Sequence, residues 1–319
     1  MTLNSVRAVL CLATVLGLSF TAPAADPTNA ADTIALKTQG PRTSGPVSVS
    51  LQNEINAAVD RGRAWLLASQ NTDGSWGGAT NAAGLAEATA LAALALLHDA
   101  TAEQRAAALR GCQWLASKSS PKIQAVPAAW RALALRVALP LDASISNAVS
   151  AAVAAAAAPG QATAPMRLML LQELGTNSCG PISWAMATDD LAGMCLCAMP
   201  PPTGSVIPPA GTNSLLQQVA ARWPRLADSF RNGHVGLRRT GAMWVIARYI
   251  NRAGGGTLAD AQGNVLDWRN TLALELVSSQ TIAPAGRGGF WKSFSNPGDA
   301  LQPDPIEDTA FALLALDEL

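Results

Sequence analysis

Apolar positions recur along residues 51–70 at helical spacing, with Leu51, Ile55, Ala58, Val59, Gly62, Trp65, Leu66 and Ser69 on one stripe. Glu54, Asp60, Arg61 and Arg63 occupy the other side. Spacing of i, i+3, i+4 predicts an amphipathic helix that buries one face. Residues 89–97 and 309–316 differ, because before the end of each run no face carries a charge. Helices of that kind are covered all round. Two layers are therefore predicted, with 51–70 and 102–118 outer and 87–98 and 127–137 inner. The same reading continues through 143–158, 165–174, 183–199, 213–223, 224–232, 238–252, 267–280 and 306–319, giving twelve helices in all. Strict alternation makes the eleventh outer and the twelfth inner, in agreement with their charge patterns. Pro200-Pro201-Pro202 and Pro208-Pro209 bracket a long loop, and Gly254-Gly255-Gly256 ends a helix.

Composition reinforces an all-α reading. Ala and Leu dominate, β-branched runs are scarce, and the chain has one Tyr. Formal charge is zero, so no basic excess points to nucleic acid. The first residues read as an export signal, residues 1–24. Arg7 precedes an apolar run over 8–20 that is too short to span a bilayer, and Ala22-Pro23-Ala24 offers a cleavage site before Ala25. Residues 25–50 carry Thr, Ser, Pro and Gly without periodicity and read as a flexible leader. The folded domain is then 51–319, with no transmembrane segment after signal cleavage. Export permits oxidation of the remaining cysteines, and the candidate disulfide joins Cys179 to Cys195 or Cys197. Cys112 falls on an apolar stripe and reads as a buried thiol. Asp189 and Asp190 near those cysteines lack a nearby histidine, since the two in the chain are His98 and His234, and no metal site is assigned.

Internal repeats organise the chain. The frame R-G-x-x-W-L occurs at Arg61-Gly62 to Trp65-Leu66 and again at Arg110-Gly111 to Trp114-Leu115, 49 residues later. A second match links the two ends: EATALAALAL at 87–96 and EDTAFALLAL at 307–316. Each lies downstream of a Gln and a Gly-x-Trp turn, namely Gln70, Gly74 and Trp76, then Gln280, Gly289 and Trp291.

The run RAWLLASQNTDGSWGG followed by EATALAALALL resembles the QW repeat of the terpenoid cyclase and protein prenyltransferase superfamily. The resemblance covers residues 51–130 and 266–319, and the middle is assigned by helix count. It implies an α/α-toroid of about six helical hairpins with inner and outer layers. It also implies structural roles for both Gln–Trp pairs, with Gln capping a neighbouring helix and Trp stapling successive hairpins. Squalene-hopene cyclases carry an acidic D-x-D-D-T-A motif, against which this chain has Pro305-Ile306-Glu307-Asp308-Thr309-Ala310. Glu307 and Asp308 are thus the catalytic candidates, although Pro305 replaces the first acid. Acids at a helix start are also favoured by the helix dipole. Those enzymes use two toroids and an aromatic cavity, whereas this chain has one toroid's worth of residues and 5% aromatics. The prenyltransferase zinc ligands and the thioester Cys-Gly-Glu-Gln are not matched; Cys179-Gly180-Pro181-Ile182 departs from the latter. A glycosidase needs paired carboxylates, for which Glu87 with Asp308, or Asp189 with Asp190, are the pairs available.

Arg131, Arg136, Arg167, Arg238, Arg239 and Arg248 fall on helices in or near the predicted inner layer, where arginine suits an anionic ligand. Arg131, Arg238 and Trp244 are the ligand-binding candidates. No cofactor is implied. The reading is an exported toroid that binds a small molecule or a protein and lacks the catalytic groups of the family. The alternative is an enzyme on isoprenoid or polysaccharide substrates with Glu307 and Asp308 as its acids.

Overall fold

Ser48 starts the first helix by accepting a hydrogen bond from the Leu51 N–H, which satisfies one of the orphan donors of a helix start. In this computed structural model the described residues are 47–78, 82–118, 125–158, 165–175, 195, 212–232, 239–254, 256–292 and 305–319. They form ten α-helices, so the protein is all-α. These are α1 (Val49–Ala68), α2 (Ala82–Leu97), α3 (Ala102–Ser117), α4 (Ala125–Ala138), α5 (Ser146–Ala157), α6 (Pro165–Glu173), α7 (Thr212–Asn232), α8 (Arg239–Gly254), α9 (Trp268–Ser278) and α10 (Pro305–Asp317). None is long and apolar enough to cross a membrane. The signal 1–24, the leader 25–50 as far as residue 46, and the predicted helix 183–199 apart from Cys195 lie outside the described residues; the end of the predicted leader is helical instead, since α1 begins at Val49.

Two kinds of helix alternate. α1 buries Leu51, Ile55, Ala58, Gly62 and Leu66 on one face. By contrast, α10 is buried at every position from Ile306 to Leu316, and α2 from Ala88 to Leu96. The covered helices touch one another: α2 packs against α4 and α10, and α10 against α8. α8 and α10 run parallel. Thr240 meets Asp308 near their N-terminal ends, and Asn251 meets Glu318 just past the C-terminal end of α10. His98 Nδ1 lies 2.8 Å from Asp317 Oδ1, joining the C-terminal ends of α2 and α10.

One boundary is corrected. Residues 213–223 and 224–232 form a single helix, α7, with Pro224 inside it. Proline removes a backbone donor and normally breaks a helix. Here the buried stripe Leu215, Val219, Ala220, Trp223, Ala227, Phe230 runs unbroken through it at i, i+3, i+4 spacing, so tertiary packing overrides the local preference. Residues 143–145 also differ, forming a 3-10 turn capped by Asp142 ahead of α5.

The Gln–Trp elements fasten the helices together, and both do so with the same bonds. The Trp76 indole N–H donates to Leu66 O at 2.7 Å, and its backbone N–H to Thr89 Oγ1 at 3.0 Å. Trp291 donates to Leu276 O at 2.7 Å and to Thr309 Oγ1 at 3.1 Å. Each Trp therefore ties an outer helix to the covered helix that follows it. Each Gln reaches a third helix: Gln70 Nε2 donates to Ala107 O of α3, and Gln280 Nε2 to Ala58 O of α1, both at 2.8 Å. Both carbonyls sit inside their helices rather than at an end, which corrects the expectation of an end cap.

The repeated Arg–Gly is the receiving surface. Arg110 and Arg61 donate to the Oε1 of Gln70 and Gln280. A Cβ on Gly111 would lie 2.5 Å from Trp76 Cζ3, and one on Gly62 would lie 2.8 Å from Trp291 Cζ3. Only glycine leaves room for the indole. The turn itself also needs glycine. Gly74 has φ +91° and packs on Arg110 O, and the residue filling that role in the second turn is Gly288, also at φ +91° against Arg61 O. Alignment on Gly-x-Trp had matched Gly289, so the structural equivalence is shifted by one residue. Strands β1 (Thr281–Ile282) and β2 (Gly289–Phe290) pair antiparallel, Thr281 opposite Phe290, and hold this second turn. The Gln70–Trp76 bridge does so in the first. Trp65 then stacks on Phe290 at 5.2 Å, while the Trp114 indole donates to Asp73.

Gly62→Ala is expected to destabilise the protein by about 1–3 kcal/mol through overpacking, read from urea unfolding. Gly78→Ala, with open space around its Cβ, should leave the midpoint unchanged. Trp76→Ala should cost about 3–5 kcal/mol. Equal stability of Gly62→Ala and Gly78→Ala would contradict the receiving role of the Arg–Gly pair.

Candidate functional site

Three covered helices bring aromatic side chains to one level. Trp130 of α4, Trp244 of α8 and Phe311 of α10 lie with ring centroids 5.6, 5.7 and 5.8 Å apart. All three are buried, and these separations fall in the range of favourable offset and edge contacts. A Cβ on Gly241 would be in ordinary contact with Phe311 at 3.6 Å. Trp244 therefore belongs to a packed aromatic layer.

Glu307 and Asp308 occupy the first turn of α10, both buried. Asp308 Oδ1 accepts a hydrogen bond from Thr240 Oγ1 at 3.1 Å. The next residue, Thr309, accepts from the Trp291 backbone. The first turn of α10 thus holds together α8, the second Gln–Trp turn and the helix itself. Thr89 does the same in α2. These threonines went unnoticed as functional positions in the sequence, although the E-x-T shared by 87–89 and 307–309 carried the signal. Glu87 is half-buried on α2. Asp189, Asp190, His234 and Arg238 lie outside the described residues, as do Cys179 and Cys197. Cys195 and Cys112 are both buried, and burial pushes the Cys112 thiol up to about 12.

The arginines sort by partner. Arg136 is exposed. Arg167 donates to Ala156 O and Ala158 O, closing the end of α5. Arg239 pairs with Glu275 at 3.0 Å. Arg248, fully buried, bridges Glu173 of α6 and Glu318. Arg252 also binds Glu173, and Asn251 donates to Glu318. Burial opposes ionisation of Glu173, yet the Arg248 and Arg252 guanidiniums overcome it and hold the carboxyl below its ordinary 4.5. These four are structural. Of the buried candidate arginines among the described residues, Arg131 alone has no hydrogen-bonding or charged partner there. It is 8% exposed, and burial lowers its pKa.

One further group has ligand chemistry. His98, Asp99 and Asp317 each bring a potential ligand atom to within 4.8 Å of the others. The His98–Asp317 contact at 2.8 Å already ties α2 to α10, and Asp99 is largely exposed. The group serves as an interhelical contact between His98 and Asp317.

Compared with known proteins, the chain matches no family model, no curated protein and no solved structure.

Glu173→Gln should destabilise by about 3–5 kcal/mol, because it strips two buried guanidiniums of a counter-charge. The carboxyl is depressed in the folded state, so its contribution is complete above about pH 4.5 and is lost as pH falls through the lower folded value. Acid unfolding followed by circular dichroism should therefore be shallower in Glu173→Gln than in wild type over that window.

Proposed function

We propose that the protein is an exported α/α-toroid of terpenoid-cyclase-like and prenyltransferase-like repeats that binds a ligand or partner and does not cyclise isoprenoids. The alternation of one-faced and covered helices supports the toroid. So does the docking of the last Gln–Trp turn onto the Arg–Gly of α1. The export signal supports a place outside the cytoplasm.

The observation that carries the functional reading is the packed layer of Trp130, Trp244 and Phe311. A cyclase needs an open aromatic cavity in which a carbocation develops against ring faces. Here the rings at the level of α10's first turns lie against each other, and Asp308 is engaged by Thr240. Pro305 stands where the first acid of the cyclase motif would be, and it fits the start of a helix.

Purified mature protein incubated with squalene in detergent should yield no cyclic product by mass spectrometry. A product lost in both Glu307→Gln and Asp308→Asn would overturn the non-catalytic reading. N-terminal sequencing should find a chain beginning near Ala25. An intact Met1 on a cytosolic protein would remove the export part alone.

A further inference from the structure

Arg131 is the arginine that the fold does not explain. Its Nε is sealed from solvent and bonded to nothing, as are those of Arg239 and Arg248, whose terminal nitrogens nevertheless pair with glutamates. No salt bridge or hydrogen bond from the described residues reaches its terminal nitrogens, and these are not among the sealed atoms. The tip of the side chain is therefore the part that another molecule can reach. Arginine stays charged in proteins. A buried charge without a counter-charge costs several kcal/mol. Glu173, Glu275 and Glu318 supply that counter-charge to Arg248 and Arg239, and no carboxylate does so for Arg131.

The neighbouring residue repeats the pattern. Trp130 is 1% exposed, and its indole Nε1 is buried with no acceptor. Two consecutive residues of α4 thus hold unspent donors, and neither offers an acceptor. The Trp130 nitrogen is sealed, so the donors open to another molecule are those at the Arg131 tip, and the chemistry that completes them is an oxyanion. Their surroundings on α4 are apolar: Ala128, Ala129, Ala132 and Leu133 are buried, and Trp130 touches Trp244 and Phe311.

We propose that Arg131 anchors a binding site for an oxyanion, a carboxylate or a phosphate monoester. This rests on the reading of the protein as a ligand-binding toroid. The planar guanidinium donates two parallel hydrogen bonds to either head group.

Melting temperature and tryptophan fluorescence of the mature protein, titrated with octanoate, octyl phosphate and inorganic phosphate below micellar concentrations, test the site. At least one of these anions should raise the wild-type melting temperature by several degrees and perturb the fluorescence, and the one that does so identifies the head group. Arg131→Met keeps the volume and removes the charge. Without added anion it should melt no lower than wild type, and with anion it should show no rise. Arg131→Lys should bind about tenfold more weakly or worse, because it loses the paired donors. Arg131→Met melting several degrees lower without ligand would reveal a structural partner and overturn the site. An equal anion response in wild type and Arg131→Met would overturn it too. Wild-type melting unmoved by all three anions, with Arg131→Met equally stable, would also remove the anion site. That last result would leave a toroid that binds a protein partner standing.

Discussion

Everything in this fold depends on a glycine that lets an indole touch a helix backbone. Gly111 and Gly62 each receive a tryptophan ring from a turn distant in the chain, and any Cβ would occupy the same space. Around each glycine the polar groups form a closed set. The Gln amide donates to the carbonyl four residues earlier, Ala107 or Ala58. The preceding Arg donates back to the Gln oxygen. The indole N–H is spent on Leu66 or Leu276. A Trp can be buried at this junction because its one polar atom is satisfied. The hydrophobic gain and the directional bonds therefore act at the same point and fix the spacing of three helices at once.

The two junctions differ in what they connect. Trp76 joins α1, α2 and α3, which follow one another in the chain, whereas Gln280 reaches back across 222 residues to Ala58. That second contact brings the ends of the folded chain together and lets α10 pack between α8 and α2. Closing so long a segment costs chain entropy that grows only logarithmically with length, so one well-satisfied junction supplemented by helix packing is enough. The His98–Asp317 pair at the far end of the same two helices adds a second tie.

Much of this was legible in the sequence because the junction is written locally. The repeated Arg–Gly, the Gln and the Trp announce themselves within short windows, and charge-free runs mark the covered helices. What the sequence hid was pairing. R-G-x-x-W-L was visible as a repeat, but that Arg61-Gly62 receives Trp291 follows only from the closed fold. Glycine roles slipped by one residue at Gly288 because the second turn is longer, built on a pair of two-residue strands. Pro224 misled because its local cost is outweighed by a stripe of buried side chains on both sides of it. The candidate site was legible only as residue types. Six arginines looked alike, and the partners that separate them lie as far away as Glu318 is from Arg248, 70 residues along the chain.

That separation of the arginines is also a statement about the interior. Near the C-terminal ends of α6, α8 and α10, two guanidiniums and two carboxylates neutralise one another while Asn251 fills a remaining acceptor. In that cluster each guanidinium is answered by a carboxylate at its terminal nitrogens, and removing any member exposes the rest. At the level of α4 the polar inventory is one-sided, with donors at Trp130 and Arg131 and apolar neighbours around them. A fold that balances its charges so closely elsewhere has the means to balance this one: Glu275 answers Arg239 across two helices. The missing acceptor at α4 is therefore a local exception in a chain whose other candidate arginines are exposed, answered or outside the described residues. Stability alone favours replacing an unanswered buried charge by an apolar side chain of similar volume. Among the described residues no acceptor answers Arg131, and the proposed anion would supply its counter-charge.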